Sequence, residues 1–114
     1  MNRAEIYMAE FEPRSGTEQR GFRPCIIVLN QGFLDATAWL SLVVVPLTSS
    51  VKNTNRPTIV TIEGEHTGLE KTSFALCHQI TTLDKRKLTQ RLGQINAVQL
   101  EKLELGLKFA LQLS

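Results

Sequence analysis

The chain has 114 residues, of which 42% are hydrophobic and 21% charged, with a formal net charge of +2. That is enough for one hydrophobic core and too little for two, so a single domain spanning residues 1–114 is expected. The charge is too small to mark a nucleic-acid binder by itself, and no apolar run nears the roughly 18 to 20 residues that cross a bilayer, so no membrane role is expected. The N-terminal "MNRAEIYMAEFEP" alternates charged and apolar residues and does not read as a signal peptide. Cys25 and Cys77 sit in apolar runs without CxxC spacing and read as buried free thiols of a reduced cytoplasm. A zinc site would need both, with His66 or His78. Neighbours Cys77 and His78 on a strand would point to opposite faces, so neither a metal nor a cofactor is expected.

In chain order, Arg3 to Phe11 reads as a first strand, and "EPRSGTEQRG" as a long loop punctuated by Pro and Gly. Cys25 to Leu29 is a continuous apolar strand introduced by Pro24, and "NQGFLDAT" a turn or short helical piece with Asn30 as its cap. Leu40 to Leu47 is Val-rich and reads as a strand buried on both faces. After the polar "TSSVKNTNRP", Thr58 to Ile62 is a β-branched strand, and Ser73 to Ile80 a fifth. Asp84 starts a single helical turn, and "TQRLGQI" returns to the sheet.

The C-terminal segment is a helix opened by Asn96, with Gln99 three residues on in a capping-box arrangement. At about 100° per residue it carries two apolar stripes, Leu100, Leu103, Leu107 and Leu111 on one side and Val98, Leu105, Phe109 and Leu113 on the other. One stripe suffices to reach a core. The second implies either a partner subunit or a helix enclosed within the monomer. The expected architecture is a small, strongly bent sheet or barrel closed by this helix.

The chemistry gathers around "TEQRGFRPCIIVLN", where Glu18, Arg20 and Arg23 crowd the mouth of a buried strand. This is either a solvated charged loop or a site that holds a phosphate. Arg23 has the planar fork that matches phosphate oxygens and a charge fixed at any working pH, which suits it to electrostatic stabilisation rather than proton transfer. Thr48, Ser49 and Ser50 end the most buried strand with hydroxyls able to bond a phosphate or a ribose hydroxyl. His78 has an unperturbed pKa near neutrality, and Glu18 is either a second base or the partner that holds an arginine. Basic residues fall in three clusters: Arg14, Arg20 and Arg23; Lys52 and Arg56; and Lys85, Arg86, Lys87 and Arg91. Loop charges on a β scaffold can converge into a groove.

Read in order, "RAEIYMAEFEP", "GTEQRGFRPCIIVLN", "LVVVPLTSS", "TGLEKTSFALCHQITTLDKRKL" and "RLGQI" resemble the MazF/PemK/Kid family of toxin–antitoxin endoribonucleases. The resemblance spans nearly the whole chain. It implies a mainly β, SH3-like β-barrel (the CcdB/MazF/Kid toxin fold) with short helical turns and a C-terminal α-helix. It further implies a homodimeric cytoplasmic toxin that cleaves single-stranded RNA without a metal, leaving 2′,3′-cyclic phosphate and 5′-hydroxyl ends. A small acidic, MazE-like antitoxin would neutralise it, and operator DNA would be met only through the antitoxin complex.

The family's catalytic arginine falls on Arg23 and its catalytic hydroxyl on Thr48, with Ser49 beside it. Glu18, Gln19 and Gly21 match the loop bordering the site, and Gln79 a glutamine common among members. With the basic loops, the expected substrate contacts are Gln19, Arg20, Ser49, Lys52, Arg56, Gln79 and Arg86. Where the Kid branch has an arginine and an aspartate, this chain has Leu76 and His78, so the base is His78 or Glu18 acting with Thr48. Thr81 stands where many members have an arginine, and Ala4 and Met8 replace the usual Gly and Trp of the first strand as packing changes. Two other readings share the fold: a CcdB-type gyrase poison, and a non-catalytic member that binds only antitoxin and operator DNA.

Overall fold

A computed structural model describes residues 1–11, 21–51 and 53–114. Seven strands are present among them: β1 (Glu5–Phe11), β2 (Gly21–Ile27), β3 (Ser41–Thr48), β4 (Ile59–Ile62), β5 (Ser73–Leu76), β6 (Thr81–Asp84) and β7 (Leu88–Gln94). A four-residue helix α1 (Gln31–Leu34) follows β2, and α2 (Ala97–Leu111) ends the chain. All pairings are antiparallel, in the order β4-β5-β3-β2-β1-β7, with β6 also on β3.

Strand β3 organises the sheet. One edge pairs with β2 through Val44, Val45 and Pro46. The other is divided, Ser41 to Val44 pairing with β6 and Leu47 and Thr48 with β5. Because β3 belongs to two sheets it must bend between them, which curls the whole into a barrel-like form. Register shifts in the β1–β7 ladder, after Ile6 and after Met8, add further twist. Among the described residues the path does not close by hydrogen bonds. Instead the 3₁₀ turn Glu65–Thr67 lies against β7, where backbone meets backbone: a Cβ on Gly93 would stand 2.4 Å from His66 O.

β2 and β3 are apolar on both faces, as their continuous hydrophobic runs predict, and alternate residues feed two cores. Ile26, Val45 and Leu47 join Ile6, Ile62 and Leu103 beneath α2. Cys25, Ile27 and Val44 join Phe11, Leu34 and Leu42 on the far side.

Several expected boundaries move. The second strand begins at Gly21, not Cys25, because Gly21, Phe22 and Arg23 pair with Phe11, Glu10 and Ala9 of β1. Arg23 therefore lies inside a strand rather than at its border. The fifth strand stops at Leu76, and Cys77–Gln79 form a 3₁₀ turn before β6, a strand that the short "TTLD" did not announce. The pairings of β5 and β6 along β3 differ by three residues in register, the length of that turn. The turn buries Cys77 and leaves His78 exposed, so the two do point apart, through a turn and not a pleat.

The expected capping box is present. Asn96 Oδ1 accepts from Gln99 N at 2.8 Å, and Gln99 Oε1 from Asn96 N at 2.9 Å. The same Gln99 donates through Nε2 to Glu63 O at 2.8 Å, tying the helix start to the end of β4. The helix turns Leu100, Leu103 and Leu107 inward, whereas Leu111 of that stripe is half exposed and Val98, Leu105, Phe109 and Leu113 are each about 60% exposed. Gly106 lies on the inward face, where a Cβ would come within 2.7 Å of Cys77 Sγ and 3.1 Å of Val60 Cγ2. The helix thus sits closer to the sheet than any side chain at 106 allows.

Ala4 is more than a packing change. Its φ of 80° lies in the left-handed region that favours glycine, and it is held there by two backbone bonds, Ala4 N to Ile27 O at 2.8 Å and Ile95 N to Ala4 O at 3.0 Å. An L side chain in that region costs about 1–2 kcal/mol, against roughly 0.4–1 kcal/mol of extra unfolded-chain entropy for glycine. Ala4→Gly is therefore expected to stabilise the fold by up to about 1.6 kcal/mol. Gly106→Ala should lower stability by about 1–3 kcal/mol through overpacking against Cys77. Urea denaturation of both variants beside the wild type checks the two signs.

Candidate functional site

The β2–β3 ladder runs out at the Cys25–Pro46 pair, although both strands continue. Pro24 and Pro46 have no amide proton to extend it. Carried two residues further, the same register sets Arg23 across from Thr48. The released strand ends border a cleft of about 620 Å³ lined by both residues and by Ser49. The β4–β5 connection contributes Glu70 and Lys71, the start of β5 contributes Ser73, and β7 contributes Gln90.

Thr48 is buried and its hydroxyl is fixed. Oγ1 accepts from Ser50 N at 3.2 Å, whereas its own path to Ser50 O is 3.5 Å, too long for a good bond. That long contact leaves the hydroxyl able to donate to a ligand instead. Arg23 is half-buried beside it, and Ser49 and Lys71 are exposed. A hydroxyl, a guanidinium and an ammonium sharing one concavity have the chemistry that a phosphodiester's oxygens call for.

Two other expected contacts gather elsewhere. Arg56 and His78 line a separate depression of about 330 Å³ with Val51, Asn53, Thr58 and Ile59. Gln79 is half-buried in the 3₁₀ turn and lines neither hollow. Arg86 is held bidentately by Asp84, with Nε–Oδ1 and Nη2–Oδ2 both 3.0 Å, and these bonds pull the Asp84 carboxyl down to about 2. Glu18, Gln19, Arg20 and Lys52 lie outside the described residues. The third basic cluster is largely paired, since Lys87 approaches Glu10 at 3.8 Å and Arg91 bonds Glu5. Burial pushes the thiols of Cys25 and Cys77 up to about 12 and 11, which makes them inert core residues.

A family model described as the PemK-like, MazF-like toxin of type II toxin–antitoxin systems matches residues 2–111. The chain belongs to that family. Endoribonuclease EndoA of Bacillus subtilis (strain 168) is 30% identical over 115 aligned positions, covering 99% of this toxin and 96% of that protein. A mycobacterial endoribonuclease solved in complex with its cognate antitoxin is 28% identical with a TM-score of 0.76, covering 98% and 95% of the two chains. Deinococcus radiodurans MazF superposes with a TM-score of 0.81 at 22% identity, covering 98% and 96%, which establishes the shared fold. The barrel-like sheet with its C-terminal helix is therefore the MazF toxin fold.

Sequence reasoning missed Phe22, Glu70, Lys71 and Gln90 of this toxin's cleft. The segment "TGLEKTS" carried the signal only as part of a family pattern. Nothing local shows that the β4–β5 connection folds back over the end of β3.

The Glu5–Arg91 pair ties β1 to β7 behind the cleft, and it has a pH signature. Burial raises the Glu5 pKa, but the Arg91 and Asn2 hydrogen bonds outweigh it and leave the carboxyl below its ordinary value. Its pairing stabilises the fold above the unfolded pKa of about 4.3 and is lost as pH falls through the folded value. Arg91 is half-exposed, so the contribution is expected near 1 kcal/mol. Glu5→Gln should lower stability at neutral pH by about that amount and lose less than the wild type between about pH 5 and 2, as read by urea unfolding at each pH.

Proposed function

We propose that this toxin cuts single-stranded RNA in the Arg23–Thr48 cleft by attack of a ribose 2′-hydroxyl on the adjacent phosphate. The toxin is an endoribonuclease. The observation that carries the location is the convergence of Arg23, buried Thr48 and Ser49 in one hollow that the ending β2–β3 ladder opens.

In the reaction the O2′–P bond forms and the P–O5′ bond breaks, leaving a 2′,3′-cyclic phosphate and a 5′-hydroxyl. The 2′-hydroxyl gives up a proton, and the departing O5′ takes one. Arg23 grips the non-bridging oxygens and offsets the negative charge that grows on the phosphorane, an interaction stronger in the transition state than in the bound substrate. Thr48, its oxygen fixed by Ser50 N, donates to the phosphate or orients the 2′-oxygen. His78 borders the other depression, so we assign it no step here. Glu70 is the carboxylate among the described lining residues and the candidate acceptor of the 2′-proton, with Glu18 its rival. No metal takes part.

The toxin works in the cytoplasm as a homodimer, with the exposed stripe of Val98, Leu105, Phe109 and Leu113 supplying apolar contact area. A groove shaped for a polyanion also attracts an acidic peptide, so a small acidic antitoxin competes with RNA there, and both associations weaken as salt rises. Operator DNA is reached only through the antitoxin.

Arg23→Ala should lower RNA cleavage about a thousandfold or more while the melting temperature changes little. The measurement is cleavage of a defined single-stranded RNA in EDTA, with end-group analysis of the products. Normal cutting by the variant would remove Arg23 from the centre, and loss of wild-type activity in EDTA would restore a metal. The pH–rate profiles of Glu70→Gln and His78→Ala separate the proton acceptors: the true one loses its acidic limb, the other keeps the wild-type profile.

A further inference from the structure

Phe22 is 65% exposed, the highest exposure among the large hydrophobic side chains, and it lines the same cleft as Arg23. Of the other exposed aromatic rings among the described residues, Phe33 and Trp39 cover each other with centroids 4.6 Å apart, and Phe109 belongs to the outer stripe of α2, away from the cleft lining. Phe22 takes part in no such ring pair. In the β1–β2 register it stands opposite exposed Glu10, and Pro24, two residues on, stands opposite Met8. Met8 in turn pairs with Gln90 of β7. By the alternation of a strand, Phe22, Pro24 and Met8 share one face, and Arg23 belongs to the other. All of them border the cleft because the ladder ends there.

A polynucleotide has the matching alternation, with charged phosphates on one side and flat apolar bases on the other. We infer that Phe22, backed by Met8 and Pro24, forms a nucleobase subsite that stacks one base next to the phosphate gripped by Arg23, with the Gln90 amide at its border reading that base's edge. The inference rests on the ribonuclease reading of the cleft and deepens it. Single-stranded RNA is recognised by splaying bases onto aromatic rings, and a stack of this kind is insensitive to base identity unless a polar group stands beside it. Gln90 is exposed and carries both a donor and an acceptor. Stacking would then supply affinity, and the amide the preference.

The test uses the full chain and a single-stranded RNA with a mapped cleavage point, carrying an abasic nucleotide placed in turn at each position beside that point. Phe22→Leu, which keeps an apolar side chain but loses the ring, should raise KM about 5- to 100-fold and change kcat by less than about threefold. Phe22→Trp should retain wild-type KM. At one abasic position, and only there, wild type and Phe22→Leu should cleave with the same KM, because the base that the ring stacks on is gone. Gln90→Ala should narrow the difference in kcat/KM between RNAs that differ only in the base at that position, and an unchanged base preference would remove the amide from the subsite. Because Phe22 is exposed, thermal melting of its variants should match the wild type, and the Trp variant separates loss of the ring from loss of the fold.

A wild-type KM for Phe22→Leu, or a defect that persists equally at every abasic position, overturns the subsite. It would assign the ring instead to a protein surface such as the antitoxin or a second copy of the chain. These outcomes are distinct from failure of the cleavage centre. If Arg23→Ala cuts normally while Phe22→Leu raises KM, the base subsite stands and the assignment of the chemistry falls.

Discussion

Two strands share one edge of β3 while their registers differ by three residues. An antiparallel ladder cannot absorb that offset by bending alone, because each slipped residue exchanges the buried and exposed faces. The turn Cys77–Gln79 takes up the difference, and its consequences spread through the molecule. It drives Cys77 inward, where Sγ approaches Leu103 O of α2 at 3.9 Å, and it leaves His78 on the surface. It lets β5 pair with the very end of β3, so that Thr48 is held opposite Phe74 and buried rather than fraying into solvent. The hydroxyl of the cleft owes its rigidity to this pairing on one side and to the Ser50 amide on the other.

The opposite edge of β3 does the complementary work by stopping. With β2 it pairs only as far as Cys25–Pro46, although both strands run on. A ladder continued to Arg23 and Thr48 would place their backbones at sheet spacing and narrow the cleft that the two now border. The prolines therefore have a positional meaning that a composition count hides. They withhold donors at the point where a cleft must open, while the pairing of β2 with β1 keeps Arg23 on a rigid element. A cleft framed by strands holds its side chains more closely than one built on loops, which matters for a transition state stabilised by position and charge.

The electrostatics are more selective than the net charge of +2 suggests. The run Lys85 to Lys87 with Arg91 looks in sequence like a basic patch, but Asp84, Glu10 and Glu5 answer three of its charges. Those pairings are structural: one caps a turn and one fastens β1 to β7. Residues adjacent in sequence were legible as a charge cluster because the pattern is local. Their carboxylate partners Glu5 and Glu10 come from β1, which only the β1–β7 pairing brings near. Lys71 shows the reverse. It is a single cation in a turn-rich stretch with no local pattern to mark it, yet the fold carries it to the same cleft as Arg23.

The same distinction explains which parts of the architecture could be read in advance. The capping box of α2, its two stripes and the doubly buried β3 are set by residues within a few positions of one another, and each was visible as a period or a cap. Gly106 was not, because its role is the absence of a side chain facing Cys77, whose own inward position depends on a register offset between distant strands. Ala4 was noticed only as a small packing change. Its backbone conformation follows from bonds to Ile27 at the end of β2 and to Ile95 just past β7, and no local pattern encodes both. For the cleft, sequence adjacency concealed a division of labour. Phe22 and Arg23 are neighbours in the chain, but strand alternation sends them to opposite faces, and only where the sheet ends do both faces border one hollow. A polymer with charge on one side and rings on the other can engage both residues there, so the end of the ladder can position the phosphate and present a surface for the base together.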